Sequence, residues 1–240
     1  MPALLRRLWI VGLVMAPACG NGGPAKVTAP SLTNITVSGS DLLLIGQSET
    51  FTAVGNGGSS ITTATWGTDA PGVVAVESYT GRITAVGTGT ATVFADLNGV
   101  RGTKSVRTLP NFAGSWSGLY QETACEATGD WAKFCVNDPW ELGTAYVWMT
   151  LTQDRDTVSG RASLAAEPEA ATGSGSISLD GTLTFTGIER SHGLSIEFTK
   201  VSFQQLQNGG MTGTFELLYT RPDYKGMDRV SAKIREMYRH

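Results

Sequence analysis

The stretch Phe112-Ala113-Gly114-Ser115-Trp116-Ser117-Gly118-Leu119-Tyr120 sets Phe112, Gly114, Trp116, Gly118 and Tyr120 two residues apart. Successive side chains of a strand point to opposite faces, so these five share a face and predict a half-buried β-strand. The alternation recurs downstream. Val147, Met149 and Leu151 alternate within 146–153, and a strand over 158–164 follows the turn Asp154-Arg155-Asp156. Ile177 and Leu179 precede Asp180-Gly181, a hairpin signal, after which Leu183 and Phe185 resume the pattern. Within 194–203, Ile196 and Phe198 are out of phase with Val201 and Phe203. Inward positions recur every second residue, so the change predicts a bulge at Lys200. Asn208-Gly209-Gly210 leads into Met211, Gly213, Phe215, Leu217 and Tyr219, and the strand over 229–238 brings Val230, Ala232 and Ile234 inward.

Eight strands joined mostly by hairpins predict an antiparallel meander β-barrel over 111–240. Closure pairs every edge, and eight strands leave an interior that side chains fill or a small ligand occupies. An open sandwich is the competing architecture. Gly114-Ser115-Trp116 resembles the Gly-x-Trp of lipocalins, avidins and related calycin barrels. The resemblance implies that Trp116 plugs one end, packed by a basic residue from near the last strand. Arg229 and Arg235 are the candidates, and Arg235 is assigned as the partner.

The loop over 123–144 breaks the run of short connections. Loops of this length are usually functional or disordered, and its aromatic content argues against disorder. Trp131, Phe134 and Trp140, with Pro139, either line the mouth of an apolar pocket for a small hydrophobic ligand or form the loop's own core.

Residues 31–109 carry a second set of short alternating runs, among them Ile35 and Val37, Phe51 and Ala53, Val74 and Val76, and Ala91 and Val93. About seven strands at this spacing predict a β-sandwich, with Trp66 as its central aromatic. Ala64-Thr-Trp-Gly-Thr-Asp69, Val73-Val-Ala-Val76 and Gly81-Arg-Ile-Thr-Ala-Val-Gly-Thr-Gly-Thr-Ala-Thr-Val93 resemble the group 2 bacterial immunoglobulin-like domains. Gly67-Thr68 departs from the serines common there. The resemblance implies a surface-exposed spacer or adhesion module. No histidine falls in this domain and no carboxylates cluster.

The start of the chain sets the compartment. Arg6 and Arg7 precede an apolar run and then small residues, the order of an export signal over 1–18, too short for the roughly 20 residues of a spanning helix. The small residues before Cys19 resemble the lipobox of bacterial lipoproteins, although Ala16 stands where leucine is usual and Pro17 is atypical. The resemblance implies cleavage and acylation at Cys19, which fixes the protein to a membrane. An ordinary cleaved signal peptide is the alternative. Gly20 after the cysteine favours the outer membrane or cell surface, and 19–30 reads as a tether. With Cys19 acylated, Cys125 and Cys135 are left to oxidise together in an exported chain.

The 240 residues include 30 glycines and carry a net charge of −3 without a basic stripe, which argues against nucleic acid. His192 and His240 have no sequence partners suggesting a triad or metal site, and Asp154, Asp156, Glu167 and Glu169 fall at turns. Glu197 and Glu216 lie in the outward phase of their strands. These residues predict no catalytic site, no metal and no cofactor. The expected role is non-catalytic binding or scaffolding in the cell envelope, by contact with an envelope or surface partner. A carrier of a small hydrophobic ligand in the barrel is the alternative.

Overall fold

The computed structural model describes residues 31–137, 144–164 and 170–240. The expected signal peptide, Cys19 and the tether lie outside them, as do Pro139, Trp140, Glu167 and Glu169.

The first nine strands are short: β1 (Ile35–Ser38), β2 (Leu42–Leu44), β3 (Ser48–Thr50), β4 (Thr52–Gly55), β5 (Thr65–Thr68), β6 (Val74–Val76), β7 (Arg82–Ala85), β8 (Gly89–Leu97) and β9 (Val100–Leu109). One sheet runs β2-β9-β8-β5; β3-β7-β6 and the pair β1-β4 make up the rest of the sandwich. Alternation supplies the core, because the inward residues Ile35, Val37, Phe51, Ala53, Val74, Ile83, Val93 and Val106 are all buried. Trp66 is buried among them, as its place mid-domain predicted. Gly81, at φ +69°, passes so near the Trp66 ring that a Cβ would stand 2.7 Å from it.

Eight longer strands follow: β10 (Gly114–Ala127), β11 (Thr144–Asp154), β12 (Thr157–Leu164), β13 (Ala171–Ile177), β14 (Leu183–Ser191), β15 (Leu194–Gln205), β16 (Met211–Thr220) and β17 (Asp228–Arg239). Each pairs antiparallel with the next, and β10 also pairs with β17, which closes the barrel. Its inner face is apolar except for Glu189 and Asp228 among the buried residues. Its outer face carries Thr150, Thr152, Ser159, Arg161, Thr172, Ser174 and Thr186, the reverse of a barrel whose outside meets lipid. No helix among the described residues is long and apolar enough to cross a membrane.

Side chains fill the interior. Phe215 touches Tyr120, Phe198 and Phe203, with ring centroids 5.4, 5.5 and 6.5 Å away. Small residues line part of the inner face: β13 presents Ala171, Gly173 and Gly175 inward before Ile177, and Gly187 of β14 lies against Phe185. Each buried Phe, Leu or Met contributes about 1.5–3 kcal/mol.

The expected bulge is present. The β15–β16 register shifts between Thr199 and Ser202, and Lys200 takes φ 45°. The strand expected around Ile177 and Leu179 lies earlier in the chain. It ends at Ile177, and Leu179 is 69% exposed. The reason is local. Ser178 and Thr182 close the turn, with the Gly181 N–H donating to the Ser178 carbonyl, and Leu179 sits at its tip.

The passage from sandwich to barrel is packed. Leu109 and Phe112 on either side of Pro110 both belong to the barrel core, and Leu42 and Leu44 of β2 pack against it. Gln153 binds the linker twice, accepting from the Phe112 N–H (2.7 Å) and donating to the Pro110 carbonyl (3.0 Å). Arg155 reaches Asp41 (3.4 Å) and Arg107 reaches Asp156 (3.7 Å).

Candidate functional site

At the end of the barrel nearest the sandwich, the Trp116 indole N–H donates to the Phe112 carbonyl at 2.8 Å, and the side chain is buried. The cation over its ring is Arg239, 5.8 Å from the centroid. The expected partner Arg235 is instead exposed on the outer face, and Arg229 pairs with Glu126 and Glu216. A change of phase in β17 explains the difference. Ile234 and Met237 both point inward, three residues apart, so Arg239 turns toward the barrel end while Arg235 turns away. Gly114 permits the contact, because a Cβ there would stand 2.6 Å from the Arg239 Nε, and its φ of +131° suits glycine.

Near the other end, Cys125 of β10 and Cys135 are joined in a disulfide. Cys135 lies on the short helix α1 (Ala132–Asn137), preceded by a single 3₁₀ turn at Gly129–Trp131. The loop is stapled to the turn before β17. Asp130 accepts from the Lys225 N–H (2.8 Å) and its own N–H donates to the Lys225 carbonyl (2.8 Å). Trp131 is only 5% exposed, with its ring 5.2 Å from Tyr224 in an edge contact. It is buried against the turn before β17 rather than standing open at a mouth. Nothing is described of the Phe134 side chain.

One row of residues crosses four strands at this end: Glu189, Ile196, Tyr219 and Asp228 are register partners from β14 to β17. Glu189 and Asp228 are buried carboxylates on the inner face, a feature the sequence reading missed. Asp228 Oδ1 lies 3.5 Å from the Cys125 sulfur and 3.6 Å from the Cys135 sulfur. That trio has the spacing of metal ligands, but both sulfurs are spent in the covalent bond and offer no thiolate.

An open feature lies outside the barrel, across the seam where β17 meets β10 and β11. Gly118 pairs with Met237 and Tyr120 with Ile234, so Leu119 alone opposes both Arg235 and Glu236. Two residues against one is a bulge, which bends the strand and re-aims side chains. A groove of about 680 Å³ opens there. Tyr146 stands on one wall at 52% exposure, and Trp148 stacks behind it at 5.7 Å with ring planes 20° apart. Tyr238, 57% exposed, Lys233 and Arg235 form the other wall. The Tyr238 hydroxyl donates to Glu236 (2.9 Å), a bond that raises its pKa and keeps it protonated. Glu236 also accepts from the Asn208 amide. The sequence held a signal for this face: Tyr146 and Trp148 are large aromatics in the outward phase of a strand whose inward set, Val147, Met149 and Leu151, is complete without them.

The histidines stay local. His192 meets Ser191 within its own turn, and the His240 ring meets Ser117 Oγ at 2.6 Å. Glu197 and Glu216 face outward as expected, and Glu216 pairs with Lys200 and Arg229. No family model matches the sequence, and no curated protein resembles it closely enough to count as a relative.

Proposed function

We propose that this is a non-catalytic binding protein of the bacterial cell envelope, held to a membrane through an acylated Cys19. In this reading the contact surface is the outer-face groove beside Tyr146. The immunoglobulin-like domain then acts as a spacer that carries the barrel away from the membrane. One observation carries the binding role: the barrel is packed with side chains, whereas its outer face opens a groove walled by exposed aromatic rings. Exposed aromatics grouped on a soluble surface mark interaction sites. A lipocalin-like carrier would need interior space, and the ring contacts of Phe215 with Tyr120, Phe198 and Phe203 within the barrel weigh against it. Residues 6–19 support the anchor.

The test has two parts. Wild-type protein should incorporate labelled fatty acid and fractionate with membranes, and Cys19→Ser should release it. The released full-length mature chain should then sediment with bacterial envelope fragments, and Tyr146→Ala should abolish this. Equal sedimentation of the two would contradict the groove as contact surface. A wild type that never takes up fatty acid would contradict the anchor.

A further inference from the structure

Resting on that reading, we infer that the groove between β11 and β17 binds the sugar rings of an acidic glycan chain. Three independent observations on the seam point to this chemistry. The first is the aromatic wall: Tyr146, braced from behind by Trp148, faces the groove with Tyr238 across from it. The axial C–H face of a pyranose is flat and apolar and packs on such a ring, while its hydroxyls need polar neighbours, which Gln121 and Thr144 supply at the rim.

The second is charge. Lys233 and Arg235 stand two residues apart on the outward phase of β17, both exposed, and neither is in an ion pair among the described residues. The one carboxylate beside them, Glu236, is engaged by Asn208 and Tyr238. These neutral donors hold Glu236 but leave its charge, so the lining is net +1, with Lys233 and Arg235 outside any ion pair among the described residues, and Arg235 can grip a carboxylate by two parallel N–H bonds. The third is shape. The bulge opposite Leu119 opens the surface into a trough between strands, and Gly118 is needed to form it, because a Cβ there would stand 2.6 Å from the Glu236 carbonyl oxygen. Two cations on a chain of net charge −3 are too few for the one-charge-per-nucleotide density of nucleic acid. A trough set below its aromatic walls also suits a linear chain better than a flat bilayer.

The experiment is calorimetric titration of the full mature chain, made soluble by Cys19→Ser, with four probes. These are oligogalacturonate, a neutral galactan oligosaccharide of equal length, oligothymidylate and phosphatidylglycerol vesicles. Oligogalacturonate should bind most tightly and weaken as salt rises. Tyr146→Ala should cost about tenfold in affinity. The double substitution Lys233→Gln, Arg235→Gln should remove the preference for the acidic over the neutral sugar. Thr186→Ala, outside the groove, should change nothing, and unchanged urea midpoints of the groove variants show that folding is not the cause. Equal binding of the neutral oligosaccharide, tighter binding of oligothymidylate or vesicles, or no binding of any saccharide overturns the assignment. If envelope sedimentation still depends on Tyr146 in that case, the groove stands as the contact surface and only the ligand class falls.

Discussion

Trp116 is fixed by two bonds of different kinds, a hydrogen bond to the Phe112 carbonyl and the guanidinium of Arg239 over its ring. The first is buried and the second exposed, so the two should weigh differently. Trp116→Ala should lower stability by about 3–5 kcal/mol in urea unfolding, whereas Arg239→Ala should cost under about 1 kcal/mol. Asp228 makes a separate prediction. A carboxylate 3.5 Å from a disulfide sulfur opposes the thiolate that must leave when the bond is reduced. Asp228→Asn should therefore speed reduction of Cys125–Cys135 by dithiothreitol, read by mass shift after alkylation, and an unchanged rate would contradict the argument. At this scale the sequence was half legible. Gly114 and Trp116 declared themselves, because the glycine is needed to let a cation cross the ring. The cation did not. Counting by twos from Ile234 makes Arg235 and Arg239 equivalent, and only the bulge opposite Leu119 separates them. Met237, apolar and three residues past Ile234, was the available sign of it.

Strands were the most legible elements, since a barrel filled with side chains demands an apolar residue at nearly every inward position. The phase change around Lys200 marked its bulge for the same reason. β13 was hidden, because its inner face is Ala171, Gly173 and Gly175, and glycine carries no hydropathy signal. Those glycines bear weight in the packing: a Cβ at Gly175 would stand only 1.8 Å from the Thr184 carbonyl oxygen on the paired strand. Gly175→Ala must push β13 and β14 apart and should cost about 1–3 kcal/mol, measured as a lower urea midpoint at unchanged slope. The disulfide acts on the next element. It closes a segment with a sequence separation of 10, for which loop-closure entropy gives roughly 2–3 kcal/mol. Replacing both cysteines by serine should lower stability by about that amount and expose Trp131, shifting its emission to the red. Retention of the native emission would show that the contacts of Asp130 with Lys225 hold the loop unaided.

Sandwich and barrel meet through a packed linker and two ion pairs, and one of these gives the whole molecule a pH response. Arg155 holds the Asp41 carboxyl below its ordinary value of 3.8, first through a hydrogen bond and then through charge. A folded-state pKa depressed in this way adds stability that is fully present above the unfolded value and is lost as pH falls through the folded one. Asp41→Asn should therefore lower the urea midpoint slightly at about pH 6, and the gap from wild type should narrow as the pH falls below 3.8. The larger question at this scale is where the barrel does its work. Composition and alternation reveal a closed barrel without revealing whether it is hollow, because a filled and a ligand-bearing interior are both lined by apolar residues. The rings of Tyr120, Phe198 and Phe203 that meet Phe215 inside the barrel favour a packed core and move attention to the outer face. Xenon enters dry apolar cavities and scatters strongly enough to be located in a crystal. Under xenon pressure, crystals of the mature protein should show no xenon site within the barrel; an ordered xenon atom among Phe185, Phe203 and Phe215 would contradict the packed interior and return the function to a ligand carried inside.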